Sequence, residues 1–111
     1  MTCAWRPLVD DEVARLPGQL GVYQIANAEG AVLFIGMAGG RSLFGLRGEL
    51  VRELEQRDPH GGAAFTFRVE VNMSYLTRYQ ELLMLHQADH GELPRDNQGA
   101  LSVTLGRLSP A

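Results

Sequence analysis

Between Leu20 and Gly36 the sequence constrains its own fold more tightly than anywhere else. Leu20 to Ala26 alternates β-formers with small or polar residues, Asn27 to Gly30 is turn chemistry, and Ala31 to Gly36 is rich in β-branched and aromatic residues. This pattern predicts a β-hairpin. On its N-terminal side Asp10 can cap a short amphipathic helix through Leu16, with Val9, Val13 and Leu16 at helical spacing and Pro17-Gly18 ending it. On its C-terminal side a Gly-rich loop, Met37 to Arg41, precedes Leu43, Leu46, Leu50 and Leu54, which recur every three or four residues and predict a helix.

Beyond the break at Asp58 to Gly62, Ala63 to Val71 alternates Phe65, Phe67, Val69 and Val71 with Thr66, Arg68 and Glu70, the pattern of a half-buried strand. Asn72 or Ser74 can cap a second long helix that runs to about His90 and stops at Gly91. Glu92 to Ala111 holds Pro94 and a β-like patch at Leu101 to Leu105 that the pattern does not place. Hairpin, helix, strand and helix in that order close most simply as an α+β fold, a three-stranded antiparallel or mixed sheet with helices packed against it.

The 111 residues, 45% of them apolar, suffice for one ordinary core and are too few for two, so one domain over residues 1–111 is expected. The longest apolar runs fall far short of the roughly 20 residues of a membrane span. No export signal precedes the acidic Asp10-Asp11-Glu12, and the single cysteine, Cys3, can form no internal disulfide; a cytoplasmic protein without a membrane partner is the expectation. All ten basic residues are arginines, set against thirteen acidic residues for a net charge of −3. Long-range attraction to a phosphate backbone is therefore not available, and nucleic acid remains a partner only through a local basic patch.

Gly21-Val22-Tyr23 on the first hairpin strand and Phe34-Ile35-Gly36 on the second resemble the GIY and YIG tripeptides of the GIY-YIG nucleases. The likeness extends from Leu16-Pro17, through Leu46-Arg47-Gly48-Glu49-Leu50 in place of the family's Leu-Arg-x-Arg-Leu, to Glu81 and Pro94-Arg95-Asp96-Asn97, so it covers residues 16–97 and leaves 98–111 as an extension. The resemblance implies phosphodiester hydrolysis with one divalent ion, Mg²⁺ or Mn²⁺. Tyr23 would then activate water, Glu81 would hold the metal and Asn97 would hydrogen-bond across the site; apart from the resemblance, Arg41 and Arg47 are the candidates for phosphate binding if the loop before the first long helix takes an anion.

Several family positions depart from that chemistry. Phe34 keeps the ring of the second tyrosine and loses its hydroxyl, and Met37 follows the motif where a lysine or small polar residue is usual. Glu49 falls where the resemblance places the catalytic arginine, and Glu53 where some members carry a histidine. Glu49 and Glu53 share one flank of the leucine stripe and Arg47 lies on the other. Exchanging a cation for a carboxylate beside a phosphate reverses an interaction of about 4 kcal/mol at roughly 4 Å and an effective dielectric near 20. The simplest reading of Glu49, Arg52, Glu53 and Glu55 is nevertheless a solvated helix face.

Two functions therefore stand: a GIY-YIG-like domain impaired as a nuclease and kept as a binding or regulatory module, with a protein partner or a second copy against exposed apolar helix surface, or an active metal-dependent endonuclease built from Tyr23, Arg47 and Glu81. Periodicity does not orient Glu81. With Tyr75, Tyr79, Leu82, Leu83 and His86 buried it faces solvent; with Met84, Leu85 and Ala88 buried it faces the sheet. His86 and His90, at i and i+4, have the spacing for zinc on one helix face but need a third ligand, for which His60 is the remaining histidine. The loop Met37 to Ser42 can offer amides to an anion before the first long helix, without the order of a P-loop.

Overall fold

A computed structural model of the chain describes residues 3–40, 42–58 and 64–98. The fold is α+β, with elements in the order β1 (Arg6–Pro7), α1 (Asp10–Ala14), β2 (Gly21–Ala26), β3 (Val32–Ala38), α2 (Gly45–Arg57), β4 (Thr66–Val71) and α3 (Tyr75–His90). The sheet is antiparallel throughout, in the order β1-β4-β2-β3, so it has four strands where the hydropathy pattern predicts three. The extra strand is two residues long, pairing Arg6 with Phe67 and Pro7 with Thr66, and Leu8 N–H extends it to Phe65 O. A strand this short has no period to detect, and its proline is tolerated because it stands at the sheet edge.

The hairpin forms for the reason its turn residues suggest. Asn27 Oδ1 accepts from the N–H groups of Glu29 and Ala31, and Gly30 takes φ +86°, a conformation that costs a residue with a Cβ about 1–2 kcal/mol. Because β2 is central, its alternate side chains feed two separate cores. Tyr23 and Ile25 point into a cluster with Leu8, Val13, Leu16, Leu46, Leu50 and Phe67, beneath α1 and α2. Val22 points the other way, joining Ile35, Leu82 and Leu83 beneath α3.

Within α2 the buried stripe is Leu46, Leu50 and Glu53, at spacings of four and three, continued by the half-buried Arg57, with Leu54 at its border. Leu43 lies before the helix and is 79% exposed, which removes it from the expected stripe. The helix starts late because Phe44 and Gly45 both take positive φ, +62° and +57°, and turn the chain inward so that Leu46 N–H reaches Gln19 O. On α3 the buried residues are Leu82 and Leu83, flanked by the half-buried Tyr75, Tyr79 and His86, which turns Glu81 to solvent. Gly91, at φ +79°, ends the helix with its N–H on Gln87 O. No described helix is long and apolar enough to cross a membrane. The β-like patch at 101–105 and the extension it belongs to lie outside the described residues, apart from Gln98.

Candidate functional site

Tyr23 lies across Gly36, its partner on β3, and the arrangement depends on the missing side chain: a Cβ on Gly36 would sit 2.3 Å from the ring Cζ and 2.5 Å from the hydroxyl. The ring is 1% exposed and packs at a tilt against Phe34, with centroids 6.0 Å apart. Its hydroxyl donates to Glu53 Oε2 at 2.8 Å. The other oxygen, Glu53 Oε1, accepts from Arg57 Nε at 2.8 Å, and Arg57 Nη1 continues to Asp96 Oδ2 at 2.7 Å. Arg57 also lies over the Phe34 ring, 5.6 Å from its centroid. A polar chain thus runs from the central strand through α2 to the residues after α3.

Glu53 is 5% exposed, so the expectation of a solvated helix face fails at this position. Burying an ionised carboxylate is costly without partners, and here a phenol and a guanidinium occupy both oxygens. The phenol responds in turn. Burial first, then the Glu53 charge, its hydrogen bond and the Glu49 charge raise the Tyr23 pKa far above the ordinary phenol range, with Arg52 a partial offset. Such a hydroxyl keeps its proton and donates it to Glu53.

The residues expected to cooperate with Tyr23 are placed apart. Arg47 emerges on the far flank of α2 and donates through Nε to Leu16 O at 2.8 Å. Glu49, at the position the resemblance gives to an arginine, pairs with Arg52 one turn later. Glu81 is exposed and bonds Arg78 Nη1 at 2.7 Å, on the helix that covers the opposite sheet face from Tyr23. Arg41 lies outside the described residues. Tyr23, Arg47 and Glu81 do not converge, and the groups around the Tyr23 hydroxyl do not form a donor set that fits Mg²⁺ or Mn²⁺: of the two carboxylates whose charge reaches it, Glu53 has both oxygens taken and Glu49 is paired with Arg52.

Asn97 is buried and binds the backbone of the second motif strand on both sides, accepting Ile35 N–H at 2.8 Å and donating to Ile35 O at 2.9 Å. It does what a neighbouring strand would do, satisfying one residue of the outer edge of β3. Among the histidines, His86 and His90 stack with centroids 4.3 Å apart, and His86 Nδ1 lies 2.9 Å from Glu92 O. No described group of three or more His, Cys, Asp or Glu side chains is placed to share a metal, and His60 lies outside the described residues.

Asp96 anchors the outer end of the polar chain, and its titration has a definite sign. Burial alone would raise its pKa, but the hydrogen bonds and charges of Arg95 and Arg57 outweigh it and hold the carboxyl below its ordinary value. The unfolded chain binds the proton more tightly, so the contribution is complete above the unfolded pKa, near 4, and is lost as pH falls through the folded one. Urea unfolding from pH 6 to pH 2.5 is expected to show stability falling below about pH 4, with the fall shallower in Asp96→Asn. Glu70, held low by Asn72 and Arg78 against its burial, adds a slope of the same sign that the variant retains. Superimposable acid limbs for the two proteins would dismiss the Asp96 contribution.

Arg57 and Asp96 escaped the sequence reading because neither belongs to the family motif and a single ion pair has no period. The signal for Glu53 was present: with Leu46, Leu50 and Arg57 it completes a three-and-four spacing that selects one helix face. No curated protein and no solved structure matches the chain. The family model that does match, described as a domain of unknown function, DUF7508, spans residues 1–89 of the 111, and the chain belongs to that family.

Proposed function

We propose that the chain is a GIY-YIG-like domain that does not cut phosphodiesters at its Tyr23 centre and that works as a binding module for protein. The observation that carries this reading is the direction of one hydrogen bond. A general base must present a lone pair to water, whereas the Tyr23 hydroxyl donates a hydrogen bond to a buried carboxylate and is held protonated by its own burial and by that charge. Around it, Phe34 offers no second hydroxyl and Glu49 puts negative charge where the resemblance calls for positive. With a net charge of −3, the partner class favoured is protein rather than nucleic acid. Apolar side chains left in solvent support the same choice, Leu43 and Phe44 before α2, Met73 before α3, and Leu76, Met84 and Leu85 along α3.

Incubating the pure chain with Mg²⁺ or Mn²⁺ and single- and double-stranded DNA and RNA, beside Tyr23→Phe, tests the first half of the proposal. No cleavage above background is expected from either protein. Cutting that disappears in Tyr23→Phe would overturn it in favour of an endonuclease centred on Tyr23.

A further inference from the structure

We infer that the shallow pocket at the start of α2, lined by Leu43, Phe44, Arg47, Gly48 and Val51, is a docking site for a peptide segment that carries a large apolar side chain beside a carboxylate. The inference deepens the binding-module reading and rests on it. Phe44 is 75% exposed and Leu43 79%, so two adjacent large apolar residues stand in solvent. Phe44 also holds φ +62°, the left-handed region that aromatic residues avoid. A polar residue or glycine would occupy that backbone at lower cost and with no apolar surface in water. Both penalties fall on one residue, and both are accounted for if its ring has a partner.

The pocket floor has a specific origin. Gly48 stands inside a helix, where glycine is unfavourable, and a Cβ there would lie 2.1 Å from Leu43 O. Its absence lets the Leu43–Phe44 turn fold down over the helix and leaves a hollow between Phe44 and Val51.

The chemistry of the occupant follows from the rim. The other two arginines of α2 are paired, Arg52 with Glu49 and Arg57 with Glu53. Arg47 makes no ion pair with any described carboxylate; its Nε is fixed on Leu16 O, and its Nη donors remain for a ligand. One oriented guanidinium beside an apolar hollow complements one carboxylate beside an apolar side chain. A nucleic-acid strand would ask for a row of cations, and this rim supplies one among the described residues.

Selection of a phage-displayed random dodecamer library on the immobilised full chain, followed by affinity measurements on the enriched synthetic peptides, tests the inference. The enriched peptides are expected to share a Leu, Ile, Phe or Trp within two positions of Asp or Glu. Phe44→Asn is expected to weaken their binding at least about tenfold while melting no lower than the wild type, because asparagine tolerates the left-handed backbone. Arg47→Gln is expected to weaken it about three- to tenfold and to flatten its salt dependence. Peptides without that pattern, or affinities that Phe44→Asn leaves unchanged, overturn the inference. So would an Arg47-dependent affinity for single-stranded oligonucleotides in place of peptide, or a wild-type dimer in sedimentation that Phe44→Asn makes monomeric. Cleavage in the Tyr23 assay counts against the non-cutting reading alone, since the pocket and the Tyr23 hydroxyl share no residue.

Discussion

Gly21→Ala is expected to leave the domain unfolded or barely folded at room temperature, with a loss of about 3–5 kcal/mol, near the upper limit for a single methyl group. Gly21 lies in the central strand, opposite Ala38 on one side and Val71 on the other. A Cβ at this position would stand 2.1 Å from Glu70 O and 3.0 Å from both Glu70 C and Val71 Cα. All three are backbone atoms, so no rotamer change can make room. Relief requires β4 to retreat from β2, which weakens the ladder that pairs Tyr23 with Val69 and Ile25 with Phe67 and opens the core beneath it. For a domain of this size each kcal/mol shifts the melting temperature by roughly 4–8 °C, so a fall of about 12–40 °C is expected.

Gly30→Ala is the matched control. A Cβ at Gly30 would meet nothing within 4 Å, and the only penalty is that of φ +86°, about 1–2 kcal/mol. Thermal and urea unfolding of the two variants beside the wild type separates the effects. A Gly21→Ala protein that melts within a few degrees of the wild type would mean that β2 and β4 do not approach as described. The comparison also bears on the motif, because Gly21 and Gly36 each have a steric reason to be glycine, one for a neighbouring backbone and one for the Tyr23 ring. Neither reason involves a nucleic acid.

That double meaning explains how much of the molecule its sequence disclosed. The hairpin, both long helices and β4 were legible because each repeats a hydrophobic period over several turns or alternations, and the turn residues Asn27 and Gly30 and the stop at Gly91 mark their limits. β1 was not, because Arg6 and Pro7 form a strand only where β4 offers an edge. The orientation of α3 was undecidable across the apolar run 82–85, and only packing against Val22 and Ile35 selects Leu82 and Leu83. At the site, the sequence exposed the exchanges at Phe34 and Glu49, which are differences of residue type. It did not expose that Tyr23 and Asp96 would be brought to the two ends of a chain through Glu53 and Arg57, since those are facts of distance between residues 30 and 39 positions apart.

Glu53→Ala is expected to cost about 3–5 kcal/mol, and the reason is the condition in which it leaves its partners. The Tyr23 hydroxyl would lose its acceptor inside the core, and Arg57 would keep its charge in a half-buried place with Asp96 alone. Glu53→Gln keeps the shape but presents an amide N–H₂ to one of two donors, so about 1–3 kcal/mol is expected. The orphaned groups, rather than the missing carboxylate, carry these costs, and the triple variant Tyr23→Phe, Glu53→Leu, Arg57→Met isolates the distinction. It replaces the polar chain with apolar groups of similar volume and is expected to be more stable than Glu53→Ala by at least about 2 kcal/mol, although it carries three changes instead of one. Unfolding free energies of the four proteins decide the matter. A Glu53→Ala protein within about 1 kcal/mol of the wild type would return Glu53 to the solvated helix face that its sequence neighbours suggest. A triple variant no better than the single one would mean instead that the chain from Tyr23 to Asp96 makes a net contribution to stability that packing alone does not replace.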